Sequence, residues 1–121
     1  MTTLLTRTED NVLVCYFQDV RIIDESRIES LGQELTELVN KTIDRKIIVN
    51  FQNVGFMSSA MLGKLIQFGK KCSTANVDLR LCGINENIRQ VFKLMNLEKV
   101  FKLESDEDAA FKSLTGKSRQ R

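Results

Sequence analysis

The chain lacks histidine altogether. Histidine is the commonest general base in enzymes and the commonest metal ligand in proteins. No Cys-x-x-Cys pair occurs either, which argues against a zinc site. From these absences we expect a protein that is not an enzyme and that has no catalytic residue, no bound metal and no cofactor.

Proline and long glycine- or serine-rich stretches are also missing, so the sequence shows no linker, repeat or low-complexity region. At 121 residues the chain is long enough for one domain with a substantial core. It has no apolar run of about 18 residues, and its first residues lack the basic start and apolar segment of a secretory signal. We expect one domain without a membrane span, located in the cytoplasm.

Cysteine is scarce, and the three cysteines, Cys15, Cys72 and Cys82, are odd in number and lie within apolar patterns. We expect reduced, buried thiols rather than a disulfide framework. Cys82 and Arg89 suggest the phosphate-binding loop of a cysteine phosphatase. However, six residues separate them where that loop has five, and Ile88 occupies the position that the arginine would need.

Charge is nearly balanced at a net +2, but four basic residues and no acidic residue lie between positions 112 and 121. The rest of the chain then has 14 basic and 16 acidic residues. We predict a mildly acidic domain at residues 1–114 and a flexible basic tail at 115–121. Such a short tail gives little reason to expect nucleic-acid binding.

Hydrophobic periodicity predicts an α/β fold in the order β-β-α-β-α-β-α-β-α, with a mixed, mostly parallel sheet and packed helices. The strands are predicted at Thr3–Arg7, Val12–Phe17, Lys46–Phe51, Val77–Cys82 and Lys99–Leu103, with one face of Val77–Cys82 less covered. The helices are predicted from Ser26 to Lys41, Ser58 to Ser73, Asn85 or Asn87 to Asn96, and Ser105 or Asp106 to Gly116. Lys46–Phe51 is almost continuously apolar, as expected of the central strand, so Ile47 and Val49 should be buried. Leu65, Leu79 and Leu81 should be buried with them.

Two of these boundaries depend on capping residues. Ser26 and Glu29 have the spacing of a capping box at the start of the first helix. Ser58 and Ser59 stand where the second helix should start, and a serine there can accept a hydrogen bond from an unpaired backbone N–H. In the simplest interpretation, one of these two serines caps the helix and the other is solvated.

The stretch around these serines resembles a known family. It reads Phe56-Met57-Ser58-Ser59-Ala60-Met61-Leu62-Gly63. This is similar to the signature of the STAS domain, which includes the bacterial anti-sigma factor antagonists: Phe, an apolar residue, Asp, Ser, Ser or Thr, Gly, Leu, Gly. Two residues depart from the pattern, since Ser58 replaces the aspartate and Met61 replaces the first glycine. The element order, Leu81-Cys82-Gly83-Ile84 and the segment from Val91-Phe92 to Phe101 give further support.

The resemblance implies an anti-sigma factor antagonist, a protein-interaction switch that regulates transcription. It places the regulatory phosphorylation site at Ser59, with Ser58 as an alternate acceptor. The implied partners are an anti-sigma factor that is also a GHKL-type serine kinase and a PP2C-type phosphatase. The partner would dock over Met57, Ser58, Ser59 and Met61.

Other functions stay open at this point. A STAS domain can be an unphosphorylated scaffold subunit of a larger signalling assembly, and the departures at Ser58 and Met61 favour this alternative. Some members of the family bind small ligands such as nucleotides, although the glycines here form no phosphate-binding loop. Two copies of the domain could also associate with each other.

Overall fold

A five-stranded sheet organises the protein, which we describe for residues 4–118 from a computed structural model. The strands of this sheet are β1 (Leu5–Glu9), β2 (Val12–Tyr16), β4 (Lys46–Asn50), β6 (Asp78–Cys82) and β7 (Leu103–Glu104). They lie in the order β1-β2-β4-β6-β7, with β1 antiparallel to β2 and the other pairs parallel. A separate ribbon pairs two short parallel strands, β3 (Arg21–Ile22) and β5 (Phe56–Met57).

Four α-helices connect or follow these strands. They are α1 (Glu25–Lys41), α2 (Ser59–Thr74), α3 (Glu86–Leu94) and α4 (Glu107–Thr115), and a 3-10 turn spans Leu97–Lys99. The predicted α/β order is therefore confirmed, and β3 and β5 are added to it. Among the described residues, no helix is long and apolar enough to cross a membrane.

The central strand β4 explains the two-sided architecture. Successive side chains of a strand point to opposite faces of the sheet. Ile47 and Val49 enter the larger apolar cluster, whereas Ile48 enters a smaller cluster on the other face. All three are fully buried, because helices cover both faces. This confirms the prediction made from the apolar run.

The larger face of the sheet is covered by α1 and α2, with α3 contributing at one side. The buried residues that these helices supply are Ile28, Leu31, Leu35, Leu38, Met61, Leu62, Leu65, Phe68, Cys72, Ile88 and Phe92. Two glycines, one in α1 and one in α2, allow neighbouring side chains to pack closely against these helices. The side chain of Lys64 passes over Gly32, and a Cβ atom at Gly69 would lie only 2.7 Å from Cε1 of Phe101.

The smaller face is covered by α4. Ala110 and Phe111 pack there against Val12, Val14, Ile48 and Cys82. The sequence predicted that the Arg80 and Cys82 face of β6 would be less covered, and this is wrong. Both residues are buried, because α4 returns across that face and Ser113 Oγ accepts a hydrogen bond from Arg80 Nε at 2.7 Å. Leu79, on the opposite face, is only partly buried.

The helix boundaries test the predicted caps. Asn85 and Asp106 cap α3 and α4 as predicted, and Gly116 ends α4 with φ +74°. The capping box at Ser26 is wrong, because α1 begins one residue earlier with Asp24 as its cap. Asp24 Oδ2 accepts hydrogen bonds from the Ser26 hydroxyl at 2.6 Å and the Arg27 N–H at 3.0 Å. These bonds, that from Ser26 above all, lower the pKa of Asp24.

The last predicted strand is displaced. Lys99 belongs to the 3-10 turn, and the strand itself consists of Leu103 and Glu104. The bonding to β6 begins one residue earlier, where Lys102 O accepts from the Leu81 N–H at 3.0 Å. Phe101 is buried in the core against the Phe92 ring, with the ring centroids 6.0 Å apart. β7 lies at an edge of the sheet.

Both chain ends lie partly outside the described residues. Residues 1–3, with the predicted strand residue Thr3, and residues 119–121, with the end of the predicted basic tail, are among those left out. The predicted boundary at residue 114 falls one residue before the end of α4. All three cysteines are reduced and buried, as predicted. Burial raises the pKa of Cys15 and of Cys72 to about 12 in each case.

Candidate functional site

The loop from Phe51 to Ser58 leads from the central strand to α2 and has a fixed shape. Three asparagines hold its backbone. Asn50 Oδ1 accepts from the Gln52 N–H at 2.7 Å, Asn53 Nδ2 donates to Phe17 O at 3.2 Å, and Asn85 Nδ2 donates to Gly55 O at 3.0 Å. The loop therefore presents the following serines on a preorganised support rather than on a free segment.

Ser59 is the first residue of α2, and it is exposed. The first N–H groups of a helix have no partner within the helix, and the helix dipole places partial positive charge there. No acidic residue lies in the first turn of α2 to occupy this position. The site thus combines a reachable hydroxyl with an environment that accepts negative charge.

Ser58 has the backbone of an N-cap but does not cap with its side chain. Its φ of −77° and ψ of 165° are extended, and its carbonyl accepts from the Met61 N–H at 3.1 Å. Its Oγ is buried without a hydrogen-bond partner. The expected side-chain cap is therefore wrong. Since the Ser58 N–H donates to Ile22 O at 3.0 Å, the backbone is tied to β3 while the hydroxyl lies in the interior.

Met57 and Met61 do not reach the surface on which a partner was expected to dock. Their exposed fractions are 7% and 0%, because Met57 lies beside Ile22 in the ribbon and Met61 faces the core from α2. The expectation that a partner contacts these two side chains is therefore wrong for the domain in this conformation, because both are buried. Of the four residues proposed from the sequence, Ser59 is exposed and Ser58 is partly exposed.

Exposed apolar side chains lie next to the serines instead, on the ribbon. Phe56, Val20 and Ile23 are 49%, 63% and 49% exposed, and we call these three residues the ribbon patch. The Gly55 and Phe56 N–H groups donate to Val20 O at 2.7 and 3.2 Å, so the patch is contiguous with the loop. The Arg21 guanidinium lies 5.6 Å from the Phe56 ring centroid and adds a positive charge.

Only part of this patch is indicated by the sequence. Phe56 is the first residue of the quoted motif, whereas Val20 and Ile23 lie outside it, and apolar side chains such as these and Ile22 usually pack in the core. Only Ile22 does so. Strand alternation turns Ile23 away from the side on which Ile22 is buried. Val20 lies just before β3, so alternation does not determine where its side chain points.

Small residues continue the surface along α2. Ala60 and Gly63 are exposed, and a Cβ atom at Gly63 would meet nothing within 4 Å. Nothing in the fold therefore requires glycine at this position. A bare turn of helix next to Ser59 leaves room for another backbone to approach closely.

The cysteine phosphatase alternative finds no site. Cys82 is fully buried beneath α4. Arg89 lies on the exposed side of α3, where its Nε is 3.6 Å from Glu98 Oε2. The structure does not combine a reachable thiol with this arginine.

Comparison with known proteins agrees with the motif and the fold. The model of the STAS domain family matches residues 4–110. A Bordetella bronchiseptica protein, BtrV, whose name places it with the anti-sigma factor antagonists, is 25% identical over 101 residues, which are 84% of this chain and 84% of that protein.

Solved structures show the same fold. An anti-sigma factor antagonist STAS domain protein from Planctomyces limnophilus has a TM-score of 0.79 at 16% identity, covering 93% of this chain and 98% of that one. SpoIIAA of Bacillus matches in its unphosphorylated form, with a TM-score of 0.76 at 16% identity over 97% of this chain and 100% of that one. The phosphorylated form of SpoIIAA matches with a TM-score of 0.67 at 15% identity, covering 92% of this chain and 99% of that one. Since the family model spans most of its length, this chain belongs to the STAS domain family.

Proposed function

We propose that this chain is an anti-sigma factor antagonist whose binding to an anti-sigma factor is controlled by phosphorylation of Ser59. The observation that carries the proposal is the exposed Ser59 hydroxyl at the start of α2, beside the exposed ribbon patch on a preorganised loop. The name of the Bordetella relative and the existence of a phosphorylated form of SpoIIAA on the same fold support it.

Phosphorylation of Ser59 would leave the fold intact. A phosphate carries about −1.5 to −2 charges at neutral pH. At a helix N-terminus, backbone N–H groups and the helix dipole stabilise such an anion. Ser59 is exposed, so the added group displaces no buried side chain. The switch therefore needs no rearrangement of the domain.

The effect of the phosphate would fall on the partner. A partner that covers the ribbon patch and approaches Ala60 and Gly63 closely would bury Ser59. An unpaired dianion at such an interface loses hydration without compensation, which weakens binding strongly. The unphosphorylated form would bind, and the phosphorylated form would be released.

In this proposal the chain is not an enzyme, and other proteins supply the chemistry. The anti-sigma factor, acting as a GHKL-type serine kinase, adds the phosphate, and a PP2C-type phosphatase removes it. All of them would meet in the cytoplasm. The resemblance of the serine motif to the family signature supports these partners.

The test measures phosphorylation and partner affinity in serine variants. Ser59→Ala should keep the fold and partner binding but take up no phosphate from the cognate kinase, as read by intact mass. Ser59→Asp should weaken binding by at least about 1–2 kcal/mol, the scale of one poorly paired polar group at an interface. Ser73→Asp is the matched control, because Ser73 is exposed on the same helix, roughly 20 Å further along its axis. It should bind the partner as wild type does.

Two results would contradict the proposal. Phosphate on Ser58 would move the site to the buried hydroxyl, and unchanged affinity of Ser59→Asp would remove the switch. If the partner binds but Ser59 is never modified, the chain is a scaffold subunit. Ribbon-patch variants add a check on the docking surface, since Phe56→Ala should weaken partner binding while leaving the phosphorylation site in place.

A further inference from the structure

A polar network lies at the carboxyl ends of the central strands, on the face that α4 covers. Glu107, in the first turn of α4, accepts hydrogen bonds from Arg7, from the Tyr16 hydroxyl and from Asn50 Nδ2, the last at 3.1 Å. Arg7 Nη2 also donates to Tyr16 Oη at 2.7 Å. The carboxylate thus ties α4 to β1, β2 and β4 at once.

Asn50 is the member of this network that also reaches the serine loop. Its side chain is almost fully buried. The amide nitrogen donates to Glu107, and the amide oxygen accepts from the Gln52 N–H at 2.7 Å. One planar group therefore fixes α4 on one side and the second residue after β4 on the other. Gly83 leaves room for it, since a Cβ atom there would lie 2.9 Å from Asn50 Oδ1.

We propose that Asn50 is a positioning residue that couples the docking of α4, through Glu107, to the shape of the loop that presents Ser59. The orientation of the Asn50 amide is set by Glu107, because an anionic carboxylate accepts only from the nitrogen side. The oxygen must then face Gln52. When the carboxylate is lost, the amide can turn, and the Gln52 N–H loses its partner.

The coupling makes the α4 face a possible control point for the switch. Anything that lifts the start of α4, such as a ligand or partner on that face, would loosen residues 51–58 without touching Ser59. This regulatory meaning rests on the proposed function, whereas the coupling itself can be measured on the isolated chain.

Tyr16 provides a direct optical reporter of the network, since it is the only tyrosine and the chain has no tryptophan. Burial raises the pKa of Tyr16, and the hydrogen bond to Glu107 raises it further, whereas the hydrogen bond from Arg7 acts in the opposite direction. Removing Glu107 should therefore lower the pKa of Tyr16 towards its ordinary value of about 10. Removing Arg7 should raise it. Tyrosinate absorbance measures both.

The experiment compares Glu107→Ala and the milder Glu107→Gln with Ser113→Ala, all on the full chain. Ser113 also docks α4, through Arg80, but at the far end of the helix from the loop. Amide exchange, followed by mass spectrometry, reads α4, residues 51–58 and α1 separately. In Glu107→Ala we expect exchange about three- to tenfold faster in residues 51–58 and in α4, with α1 unchanged. In Ser113→Ala only α4 should exchange faster, and the pKa of Tyr16 should stay as in wild type.

Asn50→Ala completes the test. It should speed exchange in residues 51–58 as much as Glu107→Ala does, and the double variant should add nothing more. Faster exchange of α4 with an unchanged loop in Glu107→Ala would overturn the coupling, as would an equal loop response in Ser113→Ala. If the loop responds but no kinase modifies Ser59, the coupling stands and the proposed function fails. If Ser59→Asp releases the partner but Glu107→Ala leaves exchange in residues 51–58 unchanged, the proposed function stands and the coupling fails.

Discussion

The two faces of the sheet are built from different chemistry. The face under α1, α2 and α3 is filled by aliphatic and aromatic side chains that form one large cluster. Within residues 4–118, the face under α4 has a cluster of six buried residues and carries the buried polar groups Asn50 and Arg80. The same strands supply both faces, so the difference comes from the polar strand residues Asn50 and Arg80 on one face and from the short helix α4 that covers it.

This contrast indicates which face determines the global stability of the domain and which face can open locally. Apolar burial on the larger face is non-directional and cooperative, at roughly 25 cal/mol per Å² of apolar surface. The α4 face depends on a nine-residue helix whose buried residues are Ala110 and Phe111, and on directional hydrogen bonds at both helix ends. We therefore expect α4 to open before the rest of the domain unfolds.

The most damaging test of the larger face is Val49→Asp. Val49 is fully buried at the centre of the sheet, and an unpaired charge there has no partner. We expect the variant to be unfolded, as judged by circular dichroism and the absence of a cooperative melt. Cooperative melting of a soluble Val49→Asp variant would show that this face is not the main core.

A matched pair in β4 compares the faces directly. Ile47 and Ile48 are both fully buried, adjacent, and directed to opposite faces. Truncation of a buried isoleucine to alanine costs about 2–5 kcal/mol. Ile47→Ala should lie at the upper end of that range and Ile48→Ala at the lower end, because α4 can settle into the space. Denaturant titration measures both, and a larger loss for Ile48→Ala would reverse the comparison.

The cysteines report on the opening of each face. Cys15 and Cys72 lie in the larger cluster, and Cys82 lies beneath α4. All three thiols are buried, so labelling requires opening. Burial also raises the pKa of Cys15 and of Cys72 to about 12, which disfavours the reactive thiolate. In low denaturant Cys82 should react about tenfold faster than the other two, as for a difference of about 1.4 kcal/mol in opening free energy. Equal rates for all three would mean that α4 opens only with the whole domain.

The smallest expected effect concerns Ser58, a buried unpaired hydroxyl beside the larger face. Ser58→Ala should leave the free energy of unfolding unchanged or raise it slightly, because no cap hydrogen bond is lost. Ser58→Asp, the residue of the family pattern, should raise it by about 0.5–1 kcal/mol by capping α2 and complementing its dipole. Thermal melts of the two variants test this. A loss of about 1 kcal/mol in Ser58→Ala would show that the serine side chain does cap α2.

Local patterns in the sequence predicted much of the fold. The apolar run from Ile47 to Phe51 located the central strand, and Asn85, Asp106 and Gly116 marked helix ends correctly. These features depend on neighbours within a few residues. Ser59 was likewise located from its motif, and the structure places it at the first turn of α2.

Most of the features that were missed depend on residues distant in the chain, and one depends on a local hydrogen bond. The ribbon pairs Arg21 with Phe56 through only two residues per strand, which is too short for a periodic signal. The burial of Arg80 depends on Ser113, and the role of Asn50 depends on Glu107, 57 positions away. Asp24 rather than Ser26 caps α1, and the serine hydroxyl donates a hydrogen bond to the aspartate. None of these can be inferred from spacing alone.

Gly69 and Gly63, six residues apart on α2, are held to different degrees by the fold. A single added methyl group at Gly69 would collide with the Phe101 ring, and through Phe92 the shift would reach α3. The same group at Gly63 would enter open space. Over long divergence, position 69 should therefore resist change whatever the domain binds, whereas position 63 is free to drift unless a docked molecule keeps it bare. Comparing which substitutions are tolerated at Gly69 and at Gly63 would separate residues kept for packing from residues kept for binding within one helix.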